Sequence, residues 1–259
     1  MTEPILLSVD DGLARITLNR PQRLNAFDAA MAEAFADAAV QATGDDGVRA
    51  VLLDAAGVAF CAGGDVVAMA TATGSGAEVE RLARTINRGL LALLSSSVPV
   101  VAAAHGTTAG GGLGVLLASD YAVVGTDSRI GSRYAGVGLT PDLSVTAQLG
   151  RAVGERRALQ LLLGDLMLTG AQAVEWGLAA EAVDGAREGV VARAEAVARG
   201  WLDGASGALG QAKRLVRSRP GRTLEEQLDE EARTIGAAFG TAEAQARIQA
   251  FAARTGAQR

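Results

Sequence analysis

Val98-Pro99-Val100-Val101-Ala102-Ala103-Ala104-His105-Gly106-Thr107-Thr108-Ala109-Gly110-Gly111-Gly112-Leu113-Gly114-Val115-Leu116-Leu117-Ala118-Ser119-Asp120 is the stretch whose reading decides the fold. Its apolar, β-branched start predicts a buried strand, followed by a glycine turn and a helix that begins at the glycines. Gly110, Gly111 and Gly112 carry no Cβ, so a ligand or another backbone can approach closely. The first amides of a helix have no partner within it, and the helix dipole favours negative charge there. The stretch is therefore suited to hold an anion or a developing oxyanion. Three glycines also permit tight helix-to-strand packing, and on this stretch alone the two readings stand side by side.

The surrounding chain restricts the choice. At 259 residues and 49% hydrophobic it has ample material for an α/β core. Aromatics are only 3%, so Ala, Val and Leu must fill that core and surfaces for stacking bases are scarce. A net charge of -5 without a basic run argues against nucleic acid as a partner. Cys61 is the single cysteine and His105 the single histidine, which excludes an internal disulfide and a Cys- or His-based metal centre. No metal or redox cofactor is expected. Met1-Thr2-Glu3-Pro4 lacks a signal pattern, and Val98–Ala104 is too short to span a bilayer. The expectation is a cytoplasmic protein with no membrane partner.

In chain order, Ile5–Val9 and Leu13–Leu18 flank the turn Asp10-Asp11-Gly12 and predict a β-hairpin. Phe27, Met31, Phe35 and Ala39 recur every four residues, a helix ending near Gly44. Val48–Leu53 predicts a strand. Ala59-Phe60-Cys61-Ala62-Gly63-Gly64-Asp65 is a second glycine-bearing loop, with Asp65 placed to cap a short helix. Thr71–Gly76 reads as a flexible patch, and Leu82, Ile86, Leu90 and Leu93 mark another helix. Beyond the central stretch, Tyr121–Val124 predicts a strand, Arg129–Gly131 an extended piece, and Thr140-Pro141-Asp142 the opening of a helix. Arg156–Leu163 and Ala171–Trp176 predict helices, and Leu178–Val183 a strand. From Arg187 the pattern is helical, broken at Gly204, Pro220-Gly221 and Gly240. An all-helical tail of roughly 60–70 residues must lay its apolar face on the core or on another subunit. The division expected is a core over 1–200 and a helical region over 201–259. A dinucleotide fingerprint is lacking, because Val115 stands where its third glycine belongs, and there is no Walker Gly-Lys-Ser/Thr.

Four pieces in order resemble the crotonase (enoyl-CoA hydratase/isomerase) superfamily. They are Asn19-Arg20-Pro21 with Leu24-Asn25-Ala26, then Phe60–Asp65, then Pro99–Ala103 with Ala109–Gly112, then Leu168-Thr169-Gly170 with Trp176-Gly177-Leu178. The resemblance implies an α/β spiral of ββα units followed by a C-terminal helical trimerisation region, in a homotrimer or dimer of trimers. It implies an acyl-CoA thioester as substrate, so that coenzyme A enters with the substrate rather than as a bound cofactor. By motif position, the amides of Gly64 and Gly111 would polarise the thioester carbonyl and stabilise an enolate. One such donor contributes roughly 2.7–4 kcal/mol in known enzymes. Arg23, Ala26, Ala62, Asp65, Gly110 and Tyr134 fall where relatives bind the CoA or line the pocket. For Arg23 an exposed surface arginine is the competing reading, and for Asp65 a pure helix cap.

The chain departs from the hydratase pattern. The two glutamates of hydratases align with Gly114 and Tyr134, and neither is a carboxylate. Activating a water and delivering a proton needs two such groups. Asp142, in Gly138-Leu139-Thr140-Pro141-Asp142, matches the aspartate of some family isomerases, the ring-epoxyphenylacetyl-CoA type among them. One carboxylate suffices to move a proton between two carbons, and burial would raise its pKa toward the working range. The expectation is a double-bond isomerase with Asp142 as shuttle. A hydratase with unusual groups and an acyl-CoA-binding member without turnover remain alternatives. Dehalogenases also place an aspartate here, but the histidine they need aligns with Asn87. Tyr134 could donate to Asp142 or serve structurally. His105 is expected as a satisfied core histidine, Cys61 as a small apolar residue, and Arg151, Arg156 and Arg157 as a solvated face.

Overall fold

The computed structural model describes residues 3–71 and 75–256. Two strands, β1 (Ile5–Asp10) and β2 (Leu13–Leu18), form the expected hairpin. Asp11 and Gly12 between them both take positive φ (45° and 79°), the geometry a two-residue hairpin turn requires. Helix α1 (Ala29–Gly44) follows, capped by the Asp28 carboxylate, which accepts from the Met31 amide at 2.9 Å. Strand β3 (Ala50–Ala55) leads through the Phe60–Asp65 loop to α2 (Val66–Thr71) and α3 (Gly76–Ser95). Of the Thr71–Gly76 patch, residues 72–74 lie outside the described residues.

Strand β4 (Val100–Ala104) is the centre of the main sheet, ordered β1-β2-β3-β4-β6-β9, with β6 at Tyr121–Gly125 and β9 at Glu181–Val183. Every pairing beyond the hairpin is parallel. Parallel strands covered on both faces read as unbroken apolar runs, which is what Val98–Ala104 shows. The alternation is strict. Val51, Leu53, Val100, Ala102 and Ala104 face one core with Phe35, Leu90 and Leu93 of α1 and α3, while Leu52, Val101 and Ala103 face a second core under a later helix. That helix is α8 (Arg187–Asp203), which presents Val190, Ala194, Ala198 and Leu202. The expected boundary at residue 200 falls within it. Gly89 lets α3 approach α1, since a Cβ there would stand 2.9 Å from Phe35.

The central stretch differs from the simple strand–turn–helix expectation. The chain turns first at Gly106 (φ 60°), where a Cβ would lie 2.0 Å from the Val58 carbonyl oxygen. It then enters a second small sheet as β5 (Thr107–Ala109), paired in the order β5-β7-β8 with β7 at Arg129–Gly131 and β8 at Met167–Leu168. Only after β5 does Gly110 (φ 52°) release the chain into helix α4 (Gly111–Leu117). A three-residue strand is too short to stand out from the apolar run that precedes it.

Thr140-Pro141-Asp142 does not open the following helix, because α5 runs Val145–Val153. Asp142 lies in the preceding loop, and Leu143 (φ 48°) and Ser144 (φ 64°) both adopt left-handed backbone. Each such residue costs on the order of 1–3 kcal/mol. Leu143 is held there by burial against α4. Helices α6 (Glu155–Leu163) and α7 (Gly170–Trp176) follow as expected. The strand expected over Leu178–Val183 is confined to β9.

Beyond α8 lie α9 (Ser206–Ser218), α10 (Leu224–Phe239) and α11 (Ala242–Gly256). The buried Lys213 ties α9 to the core: its ammonium donates to the carbonyls of Leu93 and Val98, each at 2.7 Å, and pairs with Asp120 at 2.9 Å. Along α10, Leu224, Leu228, Ile235 and Phe239 are all exposed and fall on one stripe of the helix, with Ile248 and Phe251 exposed on α11.

Candidate active site

The two glycine loops meet. The Ala109 amide donates to the Cys61 carbonyl at 2.9 Å, the Cys61 amide to Thr107 at 3.1 Å, and the Gly110 amide to Ser132 at 2.8 Å. Only glycine fits at the contact. A Cβ on Gly63 (φ 106°) would stand 3.1 Å from the Ala109 carbonyl oxygen and 3.2 Å from the Gly111 nitrogen, and one on Gly112 would lie 2.2 Å from the Cys61 carbonyl oxygen. Gly64 and Gly111 thus sit side by side on the wall of a cavity of about 500 Å³. Among the described residues no carbonyl accepts the amide of either one. For Gly111 this follows from its place at the first position of α4.

Behind this wall, Asn25 acts as a brace. It is fully buried with left-handed backbone (φ 55°), a conformation asparagine tolerates better than most residues. Its side-chain amide donates to Ala56 at 2.9 Å and Ala59 at 2.8 Å, and its Oδ1 accepts from the Arg20 amide at 2.8 Å. The Cys61 thiol lies 3.1 Å from the Asn25 carbonyl, and burial pushes its pKa up to about 12, so it remains a thiol.

Facing the glycines, Tyr134 and Asp142 stand on two arms of one loop, and the Tyr134 hydroxyl donates to Asp142 Oδ1 at 2.5 Å. Tyr134 is buried and Asp142 half-buried. Burial raises the Asp142 pKa above its ordinary value, and the bonds from Tyr134 and from its own backbone only partly offset this. Burial, followed by the charge of Asp142, raises the Tyr134 pKa, so the phenol stays protonated. The remaining walls are apolar: Phe27, Met69 and, from α3, Val79, Leu82 and Ile86, with Val137 and Leu139 opposite. Glu80 and Arg133 also border the cavity, but both are exposed and paired, with Arg84 at 2.6 Å and Asp165 at 2.7 Å.

The structure therefore brings together Ala62, Gly64, Gly110, Gly111, Tyr134 and Asp142 on one cavity. It leaves Arg23, Ala26 and Asp65 off that lining. Arg23 is exposed on a short 3-10 turn, and Ala26 is buried with its carbonyl bonded to the Arg20 guanidinium. Asp65 borders an adjoining cleft of about 380 Å³. There it caps α2 through the Ala68 amide at 3.0 Å and pairs with Arg20 at 3.1 Å. Burial opposes its charge, but these partners prevail and hold its pKa below the ordinary value. Gly76 does border the main cavity.

Residues that sequence reasoning missed are Arg20, which pairs with both Asp28 and Asp65, and Leu143, whose Cδ1 would lie 2.8 Å from a Cβ on Gly111. His105 is buried and lies off the cavity lining; it bonds the Gly57 carbonyl at 2.9 Å through Nε2, while its Nδ1 has no partner. Burial lowers its pKa and keeps the ring neutral. Arg156 is exposed, and Arg157 lies over the Trp176 ring at 5.2 Å. Among the described residues no cluster of His, Cys, Asp and Glu could hold a metal ion, and no helix is long and apolar enough to cross a membrane.

Comparison with known proteins places this geometry in context. The family model described as Enoyl-CoA hydratase/isomerase matches residues 8–258. The chain is 34% identical to the 1,2-epoxyphenylacetyl-CoA isomerase of Escherichia coli K12, covering 100% of this chain and 98% of that protein. It is 38% identical over 70% of each chain to "Probable enoyl-CoA hydratase EchA14" of Mycobacterium tuberculosis. Among solved structures, an enoyl-CoA hydratase from Mycobacterium smegmatis matches with a TM-score of 0.89 and 28% identity, over 97% of this chain and 96% of that one.

Proposed function

The chain belongs to the enoyl-CoA hydratase/isomerase family, known also as the crotonase superfamily, and from that footing we propose that it is an enoyl-CoA double-bond isomerase with Asp142 as its single proton shuttle. The observation that carries this reading is the makeup of the cavity. Among the described residues its carboxylates are Asp142, facing the glycines, and Glu80, exposed and paired at the rim. At Gly114, where a hydratase has its first glutamate, an added Cβ would stand 2.3 Å from the Leu143 carbonyl oxygen. At the second position stands Tyr134, a proton donor already committed to Asp142. The parts support proton transfer between carbons better than two-group activation of water.

In this reading the thioester carbonyl oxygen of a 3-enoyl-CoA accepts from the Gly64 and Gly111 amides. Asp142 takes a proton from C2. The electron pair left behind spreads over C2, C3 and C4 and onto the carbonyl oxygen, where the two amides stabilise it. Asp142 then returns the proton to C4, the double bond settles between C2 and C3, and the carboxylate is regenerated. The aliphatic walls of α2 and α3 fit an acyl chain rather than a charged one. The exposed stripe on α10 supports self-association of the chain, and the family resemblance makes a homotrimer or a dimer of trimers the assembly proposed.

The purified protein should convert 3-enoyl-CoA to 2-enoyl-CoA, and Asp142→Asn should abolish this while acyl-CoA binding persists. Net water addition to 2-enoyl-CoA at a comparable rate would favour hydration instead. Saturable binding without turnover of either substrate would favour a binding protein.

A further inference from the structure

Tyr134 approaches only one of the two oxygens of Asp142, and this asymmetry carries a consequence that rests on the isomerase reading. A free carboxylate offers two equivalent oxygens to a proton. Here Oδ1 already accepts the Tyr134 hydroxyl at 2.5 Å. The phenol is buried, and its carbonyl accepts the amides of both Val137 and Leu139 at 3.1 Å, so the ring is held at both ends of its residue. On the other side, Asp142 is fixed by the left-handed pair Leu143 and Ser144, with Leu143 locked against Gly111 and Gly114. Both residues therefore stand on a fixed backbone.

We propose that Tyr134 is a positioning residue that occupies Asp142 Oδ1 and so makes Oδ2 the only oxygen that takes the substrate proton and gives it back. The two carbons that exchange the proton, C2 and C4, lie on one allylic unit, and a single fixed oxygen can reach both from one face. The transfer balances without a second acid: the C2–H bond breaks, the Oδ2–H bond forms, and the same proton leaves Oδ2 to form the C4–H bond. Because Oδ1 is taken by the phenol, the carboxyl loses one of its two oxygens as a route for exchange with water, and the proton returns to the substrate more often than it is lost. No other titratable side chain faces the carboxyl closely. Glu80 and Arg133 are exposed and paired at the rim, and the Cys61 thiol lies behind the glycine loop.

The test uses the full-length enzyme in D2O with an unlabelled 3-enoyl-CoA. Wild type should place well under one deuterium per turnover into C4 of the product. Tyr134→Phe keeps the buried ring and removes only the hydroxyl. It should raise deuterium incorporation several-fold, because freed Oδ1 opens a route to water. It should also move the acid limb of kcat/KM to higher pH, since a bond that favours the carboxylate is lost. A fall in kcat with incorporation and acid limb both unchanged would mark Tyr134 as merely structural and overturn the proposal, as would movement of only one of the two. Full deuterium incorporation by wild type would overturn it without any variant. If wild type does not isomerise at all, the isomerase reading fails first, and that outcome is seen before any label is counted.

Discussion

The carbonyl oxygen of Leu143 stands 2.3 Å from the place a Cβ on Gly114 would occupy, and the Leu143 Cβ stands 2.8 Å from it. The loop that carries Asp142 is thus built into the space that a side chain on α4 would need. Gly114→Ala should therefore destabilise the protein by about 1–3 kcal/mol through overpacking, seen as a lower melting temperature. Gly114→Glu should lower isomerase activity without producing hydration of 2-enoyl-CoA. Appearance of robust hydration in that variant would show that the loop can yield and that the exclusion is not steric.

Gly63 tests the glycine contact from the other side. Its φ of 106° is left-handed territory, and a Cβ there meets the Ala109 carbonyl oxygen and the Gly111 nitrogen. Gly63→Ala should push the Gly64 and Gly111 amides out of register. We expect kcat to fall by roughly 10²–10³, the scale of losing one oxyanion donor, with a smaller change in KM. Steady-state kinetics beside a thermal melt separates loss of alignment from loss of folding.

The raised pKa of Asp142 gives predictions of opposite sign for activity and stability. As the proposed base, Asp142 works only when ionised, so kcat/KM should rise with pH through an acid limb above the ordinary carboxylate pKa of about 3.9. Folding, by contrast, binds the proton more tightly than the unfolded chain does. Stability from this group therefore falls as pH rises from the unfolded toward the folded pKa, and the full penalty is present above both. Asp142→Asn should melt above wild type at neutral pH, and the difference should shrink as pH drops through the folded pKa. Melting curves at several pH values check this, and an Asn variant less stable at pH 7 would contradict it.

Asn25 is expected to hold stability and activity together. Asn25→Ala would leave the buried carbonyl of Ala59, the part-buried carbonyl of Ala56 and the Arg20 amide without the Asn25 side chain. Each unsatisfied buried group costs about 1–3 kcal/mol, so denaturant titration should show a loss of at least that size. Any soluble fraction should show reduced turnover as the Cys61–Gly64 loop loosens.

The stripe Leu224, Leu228, Ile235 and Phe239 predicts self-association. Wild type should sediment at three or six times the chain mass, and Ile235→Glu with Phe239→Glu should shift it to smaller species. A monomeric wild type would set the trimer reading aside.

Much of this architecture was legible because local chemistry and tertiary demand agree. Asp11-Gly12 makes a hairpin turn, Asp65 caps the short helix after its loop, and the apolar run into Ala104 announces a strand buried on both faces. The glycine loops, Tyr134 and Asp142 stand out in the sequence as candidates, and all of them line one cavity. What the sequence did not reveal is set by long-range packing. β5 is three residues long and exists by pairing with β7. Leu143 and Ser144 adopt a backbone that their own propensities disfavour, because Gly111 and Gly114 leave room for it. The helix expected to open at Thr140-Pro141-Asp142 starts later for the same reason: Pro then Asp ordinarily starts a helix, and the packing of Leu143 delays that start to Val145.

The contact between the two glycine loops has an evolutionary consequence. The amides at Gly64 and Gly111 belong to the main chain, so no substitution at these positions other than proline can delete them, although many can displace them. The carboxylate and phenol opposite are ordinary side chains on a separate loop, each one codon away from being something else. A lineage built this way can exchange the reacting groups while the wall of amides proposed to stabilise an enolate is inherited intact. Reaction type is then the variable trait of such a scaffold, and the proposed recognition of a thioester its fixed one.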